Sequence, residues 1–327
     1  MALEAAHKTL IRLLGDGEFH SGTELAEQLG ISRAAIWKHI RSLERLGLEL
    51  TAIPGRGYRL LSPVDWLDEA RIREALGDCP TPFRLEIHDA LDSTNSHLLR
   101  AARQGAETGS VCLAEYQQAG RGRIGRDWVS PFGANIYLSL LWRFEDPAQV
   151  GGLSLAVGVA LLRALTALGI SGLALKWPND ILVGRAKLGG ILLDVAGEAH
   201  GGCAVVVGIG LNRYLPAAAA AGIDQAWTDL TRISGASPPR NALVARVLIE
   251  LFRVLSVYAE TGLSPYLAEW RAAHAFAGQA ATLQLGEQCV AGTIVDISDE
   301  GFLLLRDQTG ELRRFASGDV RLRVSAP

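Results

Sequence analysis

The sequence predicts an α+β multidomain protein: an N-terminal winged helix-turn-helix, a central mixed-sheet α/β domain and a C-terminal SH3-like β-barrel. Three observations predict it. Two short, capped helical stretches meet at Leu29-Gly30-Ile31-Ser32 and run into a hairpin built around Pro54-Gly55-Arg56-Gly57. From about residue 83, strand patterns alternate with helical ones. From about residue 280, only short strand patterns separated by tight turns remain. The boundaries read as 1–62, a connector over 63–82, then 83–275 and 276–327.

The first helix spans Ala2–Leu14, with Ala6, Leu10 and Leu14 on one face, and Gly15-Asp16-Gly17 ends it. Ser21-Gly22-Thr23-Glu24 is a capping box that opens a helix stopping at Gly30. Ser32 caps a third helix, Arg33–Leu46, with Ile36, Ile40 and Leu43 as its buried stripe. Ala34, Lys38, Arg41 and Arg45 fall on the opposite face. A helix-turn-helix from Gly22 to Arg41 makes this third helix the recognition helix, and strands Leu48–Ile53 and Tyr58–Leu60 make the wing. Residues 32–60 carry six Lys/Arg against two Glu, whereas residues 1–31 carry two against five acids. Positive charge is therefore confined to the face that would meet phosphates, and Ser32, Arg33, Lys38, Arg41, Arg45 and Arg56 are the candidate DNA contacts. Trp37 has two readings, a DNA contact or packing on the first helix, and periodicity does not choose between them.

Residues 63–82 read as a helical connector ending in a Pro-rich break. In the central region, Ser110–Glu115, Ile136–Trp142, Leu173–Lys176, Lys187–Val195 and Cys203–Leu211 read as strands. Asn95–Gln104, Val150–Leu168 and Arg240–Tyr258 read as helices, and Ala217–Ala221 as a surface loop or helical turn. The last strands are Ala281–Leu285, Gly292–Ile297, Phe302–Arg306, Leu312–Phe315 and Val320–Val324.

The chemistry concentrates in GRGRIGRDWVSPFGANI at 120–136, where six of the seven residues 120–126 are Gly or Arg. Glycine lets the backbone approach a ligand closely, and guanidinium forks match phosphate and carboxylate oxygens. Gly120, Gly122 and Gly125 spell G-x-G-x-x-G, but DWVSPFG behind them cannot open the helix that a dinucleotide fingerprint needs. The segment is an anion-clasping loop. Lys176-Trp177-Pro178-Asn179-Asp180 is a compact polar turn. Lys187-Leu188-Gly189-Gly190-Ile191-Leu192 puts one cation at the head of an apolar run that reads as a strand buried on both faces. Leu91-Asp92-Ser93-Thr94-Asn95-Ser96 supplies hydroxyls and amides at a helix N-cap.

These motifs, DSTN at 92–95, EYQQAGRGR at 115–123, SPFGAN at 130–135, KWPND at 176–180 and KLGGIL at 187–192, occur in the order and spacing of biotin–protein ligases. With the winged helix, nearly the whole chain resembles the bifunctional type that also represses the biotin operon. The resemblance implies ATP-dependent formation of biotinyl-5′-AMP and transfer of biotin to a lysine of a biotin carboxyl carrier protein, with Mg²⁺ on the nucleotide phosphates. It implies that Ser93, Thr94, Asn95 and Gln117 surround the biotin ring, and that Arg121, Gly122 and Arg123 close over the carboxylate and the AMP phosphate. Lys187 and Gly190 join that region, and Lys187, Arg121 and Arg123 are the expected catalytic cations. Asn212 lines the nucleotide side, and Trp227 either stacks on adenine or packs on a neighbouring helix. Asp180 is the one candidate metal ligand. Operator DNA, the carrier protein and a second copy of the chain in the adenylate-bound state are the expected partners. The loop departs from some relatives at Ile124, where they carry a further Arg.

Composition agrees with this reading. The 327 residues are 49% hydrophobic and 20% charged with a formal net charge of −3, so nucleic-acid binding must come from a local patch. The cysteines at 79, 112, 203 and 289 lie far apart without a C-x-x-C pair, and the seven histidines are scattered. Linear spacing thus argues against a zinc site and for a reducing compartment. No signal-peptide pattern and no membrane-length apolar run occur, so a cytoplasmic protein with no membrane partner is expected.

Overall fold

The computed structural model describes residues 4–78, 83–197, 201–236, 238–286, 288–317 and 320–324. The Pro-rich break expected at the end of the connector lies outside them.

The first three helices are Ala5–Leu13, Gly22–Leu29 and Arg33–Arg45. Both expected caps form: Ser21 Oγ accepts from the Glu24 amide at 3.0 Å and Ser32 Oγ from the Ala35 amide at 3.2 Å. Leu10, Ile11, Leu14, Leu25, Ile36 and Leu43 close a core of their own. Strands β1 (Leu50–Ile53) and β2 (Gly57–Leu60) form the wing, β1 beginning two residues later and β2 one residue earlier than expected. Gly57 has φ 104°, and a Cβ there would lie 1.9 Å from the His20 carbonyl oxygen, so only glycine lets the wing close against the segment that leads into the second helix.

The central sheet has seven strands: β3 (Arg84–His88), β4 (Ser110–Ala114), β5 (Ile136–Phe144), β6 (Leu173–Lys176), β7 (Asp180–Val183), β8 (Ala186–Gly197) and β9 (Cys203–Leu211). They lie in the order β3-β4-β5-β9-β8-β7-β6, with β3 and β4 parallel and every other neighbour antiparallel, a mixed sheet. The sequence pattern did not single out β3 or β7. Both are short edge-region strands, and KWPND proves to be the hairpin turn that joins β6 to β7. Helices Leu153–Ala167 and Arg240–Thr261 pack on one face. Helix Thr94–Arg103 packs on the other, burying Leu98 and Ala102 against Cys112, Leu141, Ala204 and Val206. Strand β8 is not buried on both faces as expected: its second half is partly open, and Val195 is 53% exposed, where the strand runs past the end of β7 and is paired with β9 alone.

The C-terminal strands β10 (Ala280–Leu285), β11 (Gln288–Ile297), β12 (Leu303–Asp307), β13 (Leu312–Phe315) and β14 (Val320–Val324) form an antiparallel sheet ordered β13-β12-β11-β10-β14. Among the described residues its two edges, β13 and β14, do not pair, so the sheet is open where a closed barrel was expected. Its Leu283, Ile294, Leu303 and Leu305 continue the main core, so the two units share one apolar interior.

One buried arginine ties the segments together. Arg240, fully buried at the start of the long helix, ion-pairs Glu115 and donates from Nε to the Asn135 carbonyl at 2.9 Å. Glu115 also accepts from the Leu67 amide at 2.8 Å, and the Asp65 carboxylate accepts from the Arg240 amide at 2.7 Å. Removing one member of such a pair strands a buried charge, a cost of about 3–5 kcal/mol. Arg240→Ala is therefore expected to lower unfolding free energy in urea by about that amount, and a change below about 1 kcal/mol would contradict the assignment.

Candidate active site

The face of the sheet that carries helix Thr94–Arg103 is left bare at one end, and glycine is the reason. Gly190 pairs with Gly210, and Gly208 with Leu192, across β8 and β9. A Cβ on Gly208 would stand 2.0 Å from Asn95 Oδ1, and one on Gly210 2.4 Å from the Trp128 ring. The floor of the resulting cleft is therefore backbone, with side chains supplied from its rim.

Ser93, Thr94 and Asn95 enter from the helix N-terminus, where Ser93 is the N-cap. All three are buried and already connected. Gln117 Oε1 accepts from the Thr94 amide at 2.9 Å, and Gln117 Nε2 donates to Ser130 Oγ at 3.0 Å. Ser139 on β5, fully buried, donates to Thr94 Oγ1 at 2.7 Å and lies 2.5 Å from Asn95 Oδ1. Asn95 Nδ2 donates to Asp194 Oδ2 at 3.0 Å. This is a pre-ordered array of amides and hydroxyls, the kind of lining that recognises a neutral polar ring.

The same cleft also carries a group of cations, one of which, Arg121, shares Asp194 Oδ2 with Asn95. Arg121, Arg123, Arg126, Lys176 and Lys187 line it against Asp127 and Asp180. Arg121 is held on Asp194 at 2.6 Å, and Lys187 on Asp180 at 2.6 Å. Lys187 stands at the head of β8 as expected, largely enclosed, with its ammonium 5.4 Å from the centre of the Trp128 ring. Burial holds the Lys176 ammonium below the ordinary lysine range. Arg123 donates to Asn179 Oδ1 at 3.4 Å and to the Ser317 carbonyl, which links the loop to the KWPND turn and the C-terminal sheet. That turn contains a cis Trp177–Pro178 bond, and Trp177 Nε1 donates to the Gly301 carbonyl at 3.1 Å. Gly122 and Gly190 line the same cleft.

Asn212 and Trp227 line a smaller adjoining cavity that shares Asp127, Trp128 and Lys187 with the cleft. Asn212 Nδ2 donates to the Thr228 carbonyl at 3.1 Å. Trp227 lies against the guanidinium of Arg232, 3.9 Å from its ring centre, on the next short helix. Five further residues take part in this arrangement: Arg126, Trp128 and Lys176 belong to the motifs read from sequence but were given no role there, and Ser139 and Asp194 were not singled out. Trp128 had a signal, lying directly behind the Arg/Gly loop. Ser139 and Asp194 had none, being single polar residues inside apolar strand patterns.

Ile124 takes φ 56° and ψ 46° at the tip of the loop. A β-branched side chain is poorly accommodated there, at a cost of about 1–2 kcal/mol. Ile124→Gly is expected to raise stability by about 1 kcal/mol, read as a denaturant midpoint shift; a destabilised variant would show that the loop does not rest in this conformation.

In the winged helix, Arg33, Lys38, Arg41 and Arg56 are exposed, and Trp37 is 53% exposed beneath Arg41 rather than packed on the first helix. The Arg56 guanidinium stacks on Phe19 at 4.4 Å, and Arg41 pairs with Glu44 at 3.0 Å. The Ser32 hydroxyl is occupied as the helix cap. Arg45, one turn beyond Arg41, is exposed as well and lines the groove facing the central domain.

A glycine-floored cleft of this kind, fused to a helix-turn-helix, defines a ligase joined to a DNA-binding module. The chain belongs to the biotin/lipoate A/B protein ligase family, whose model matches residues 88–212. An HTH domain model matches residues 6–59, and a biotin protein ligase C terminal domain model matches 276–323. The chain is 40% identical over 316 residues to the bifunctional ligase/repressor BirA of Salmonella typhimurium, covering 96% of this chain and 97% of that one. It is 39% identical to the Escherichia coli protein of the same name, covering 96% of both. Among solved structures it resembles the biotin protein ligase from Aquifex aeolicus in complex with biotin and ATP, with a TM-score of 0.63, 28% identity, and coverage of 74% of this chain and 99% of that one. No described helix is long and apolar enough to cross a membrane.

Proposed function

We propose that the chain activates biotin with ATP, passes it to a lysine of a biotin carboxyl carrier protein, and binds operator DNA as a repressor. The observation that carries this reading is the joining, in one cleft, of a neutral hydrogen-bonding array and a group of cations. Biotin has the complementary form: an uncharged ureido ring at one end and a carboxylate at the other.

In the first step a biotin carboxylate oxygen bonds to the α-phosphorus of ATP, the bond to pyrophosphate breaks, and biotinyl-5′-AMP forms. Two anions must meet, and Arg121, Arg123 and Lys187 offset their repulsion. Two of these are parked on carboxylates, so the incoming oxyanions would replace Asp194 and Asp180 as their partners. Ser93, Thr94, Asn95 and Gln117 hold the ring, Gly122 and Gly190 allow close backbone approach, and Asn212 and Trp227 lie on the nucleotide side. In the second step the carrier lysine attacks the acyl carbon, AMP leaves, and the amine proton passes to solvent. Among the described residues the carboxylates lining the cleft are Asp127 and Asp180, with Asp194 beside it; Asp180 and Asp194 are ion-paired. That donor set suits Mg²⁺ arriving as the Mg·ATP complex, with Asp180 as the chain's candidate ligand.

Units 1–62, 83–275 and 276–327, joined by 63–82, divide DNA binding, chemistry and support of the Arg/Gly loop, and the last is read as an SH3-like fold. Ser32, Arg33, Lys38, Arg41, Arg45 and Arg56 supply the DNA contacts. Phe132 supports a link between the two activities: it follows the loop, yet is buried in the winged-helix core, and its amide donates to the Leu46 carbonyl at 2.8 Å. Adenylate binding would order the loop, favour a homodimer and so favour paired operator half-sites.

Lys187→Ala and Arg123→Ala are each expected to slow biotin-dependent adenylation by tens- to thousands-fold, about 2–4 kcal/mol, with unchanged circular dichroism. Unchanged rates in both would remove their roles. Lys38→Ala is expected to weaken operator binding and reduce the salt slope by about 1 while leaving ligation unaltered. An unaltered salt dependence would place Lys38 away from phosphate.

A further inference from the structure

A cluster of metal-ligating side chains lies on the far side of helix Thr94–Arg103 from the cleft floor. His88, His97 and Cys112 each bring a donor atom into a group whose members all lie within 4.8 Å of one another. Their linear spacing hides this, but the parallel pairing of β3 and β4 sets Glu86 directly opposite Cys112. His88, two residues after Glu86, shares that face of the sheet, and His97 comes down from the helix covering it. The two imidazole rings are 4.7 Å apart, and Glu86 Oε2 accepts from His97 at 2.9 Å and His88 at 3.3 Å. Cys112 is fully buried beneath them, while both histidines keep a solvent-facing edge.

We propose that His88, His97 and Cys112 form a binding site for a zinc-class divalent ion, with Glu86 as the positioning residue. Two imidazoles and a thiolate are the donors that borderline-soft ions select over Mg²⁺ or Ca²⁺. As the ion binds, the Cys112 thiol proton is released to solvent and both imidazoles bind in neutral form. The thiolate and the Glu86 carboxylate then balance the charge of the ion. The ion would also join residues 88 and 97, closing a clip around Ser93, Thr94 and Asn95.

The test uses the untagged full chain, freed of metal, titrated with Co²⁺ alone under anaerobic conditions and then with Zn²⁺. The expected result is one Co²⁺ per chain with a thiolate-to-cobalt charge-transfer absorption, displaced by Zn²⁺. A Cys112→Ala variant should lose that absorption. Since Cys112 is in the core, His97→Ala provides a second probe at a partly exposed position: it should weaken Zn²⁺ binding by at least about 100-fold, and Glu86→Gln by about 10-fold. Zn²⁺ should raise the melting temperature of the parent but not of His97→Ala. A second donor group, Glu4, His7 and His39, contains no sulfur and would not give the absorption. Absence of the absorption in the parent, its survival in Cys112→Ala, or parental affinity in His97→Ala would overturn the proposal.

Discussion

The buried Arg240–Glu115 pair is the constraint on which the rest of the structure depends. A loop rich in glycine and arginine has no packing of its own, so its position is set by its feet. Those feet are Glu115 and Asn135. Arg240 reaches both, and the Gly133 amide closes the base by donating to the Glu115 carbonyl at 2.9 Å. Asn135 Oδ1 in turn accepts from the amides of Arg213 and Tyr214, at 2.9 and 3.2 Å. A charge pair excluded from water is costly to open, so the feet stay fixed while residues between them remain available to a ligand.

The same segment carries three attachments. Gln117, Arg121–Ile124 and Arg126–Trp128 face the cleft, Arg123 touches the C-terminal sheet, and Phe132 sits in the winged-helix core. Pro131 is close enough to Gly47 that a Cβ on that glycine would stand 2.7 Å from it. The segment that closes over a reactive intermediate is thus also the segment against which the end of the recognition helix rests. The arrangement joins chemistry and DNA recognition through one short stretch of backbone, without a dedicated relay.

Much of this was legible in the residues. Ser21, Ser32 and the glycines of the wing specify the N-terminal fold through local rules, and these formed as expected. The Arg/Gly loop, KWPND and the Lys187 strand announced the cleft because charge and glycine stand out in an apolar chain. What stayed hidden depends on long-range pairing. Ser139 is a single hydroxyl inside an apolar strand, and only the sheet places it between Thr94 and Asn95. Glu86, His88, His97 and Cys112 are scattered in the chain and meet only because β3 and β4 run parallel beneath one helix. The open edge between β13 and β14 was equally unreadable, since strand patterns do not state which edges close.

The most direct test of the central claim is a single-turnover experiment. The protein is mixed with biotin and Mg·ATP, retained ligand is read by mass spectrometry, and a carrier domain is then added. The account predicts retained biotinyl-5′-AMP that disappears as the carrier gains one biotin on a lysine. No adenylate with biotin, or adenylate only with lipoate or octanoate, would contradict it.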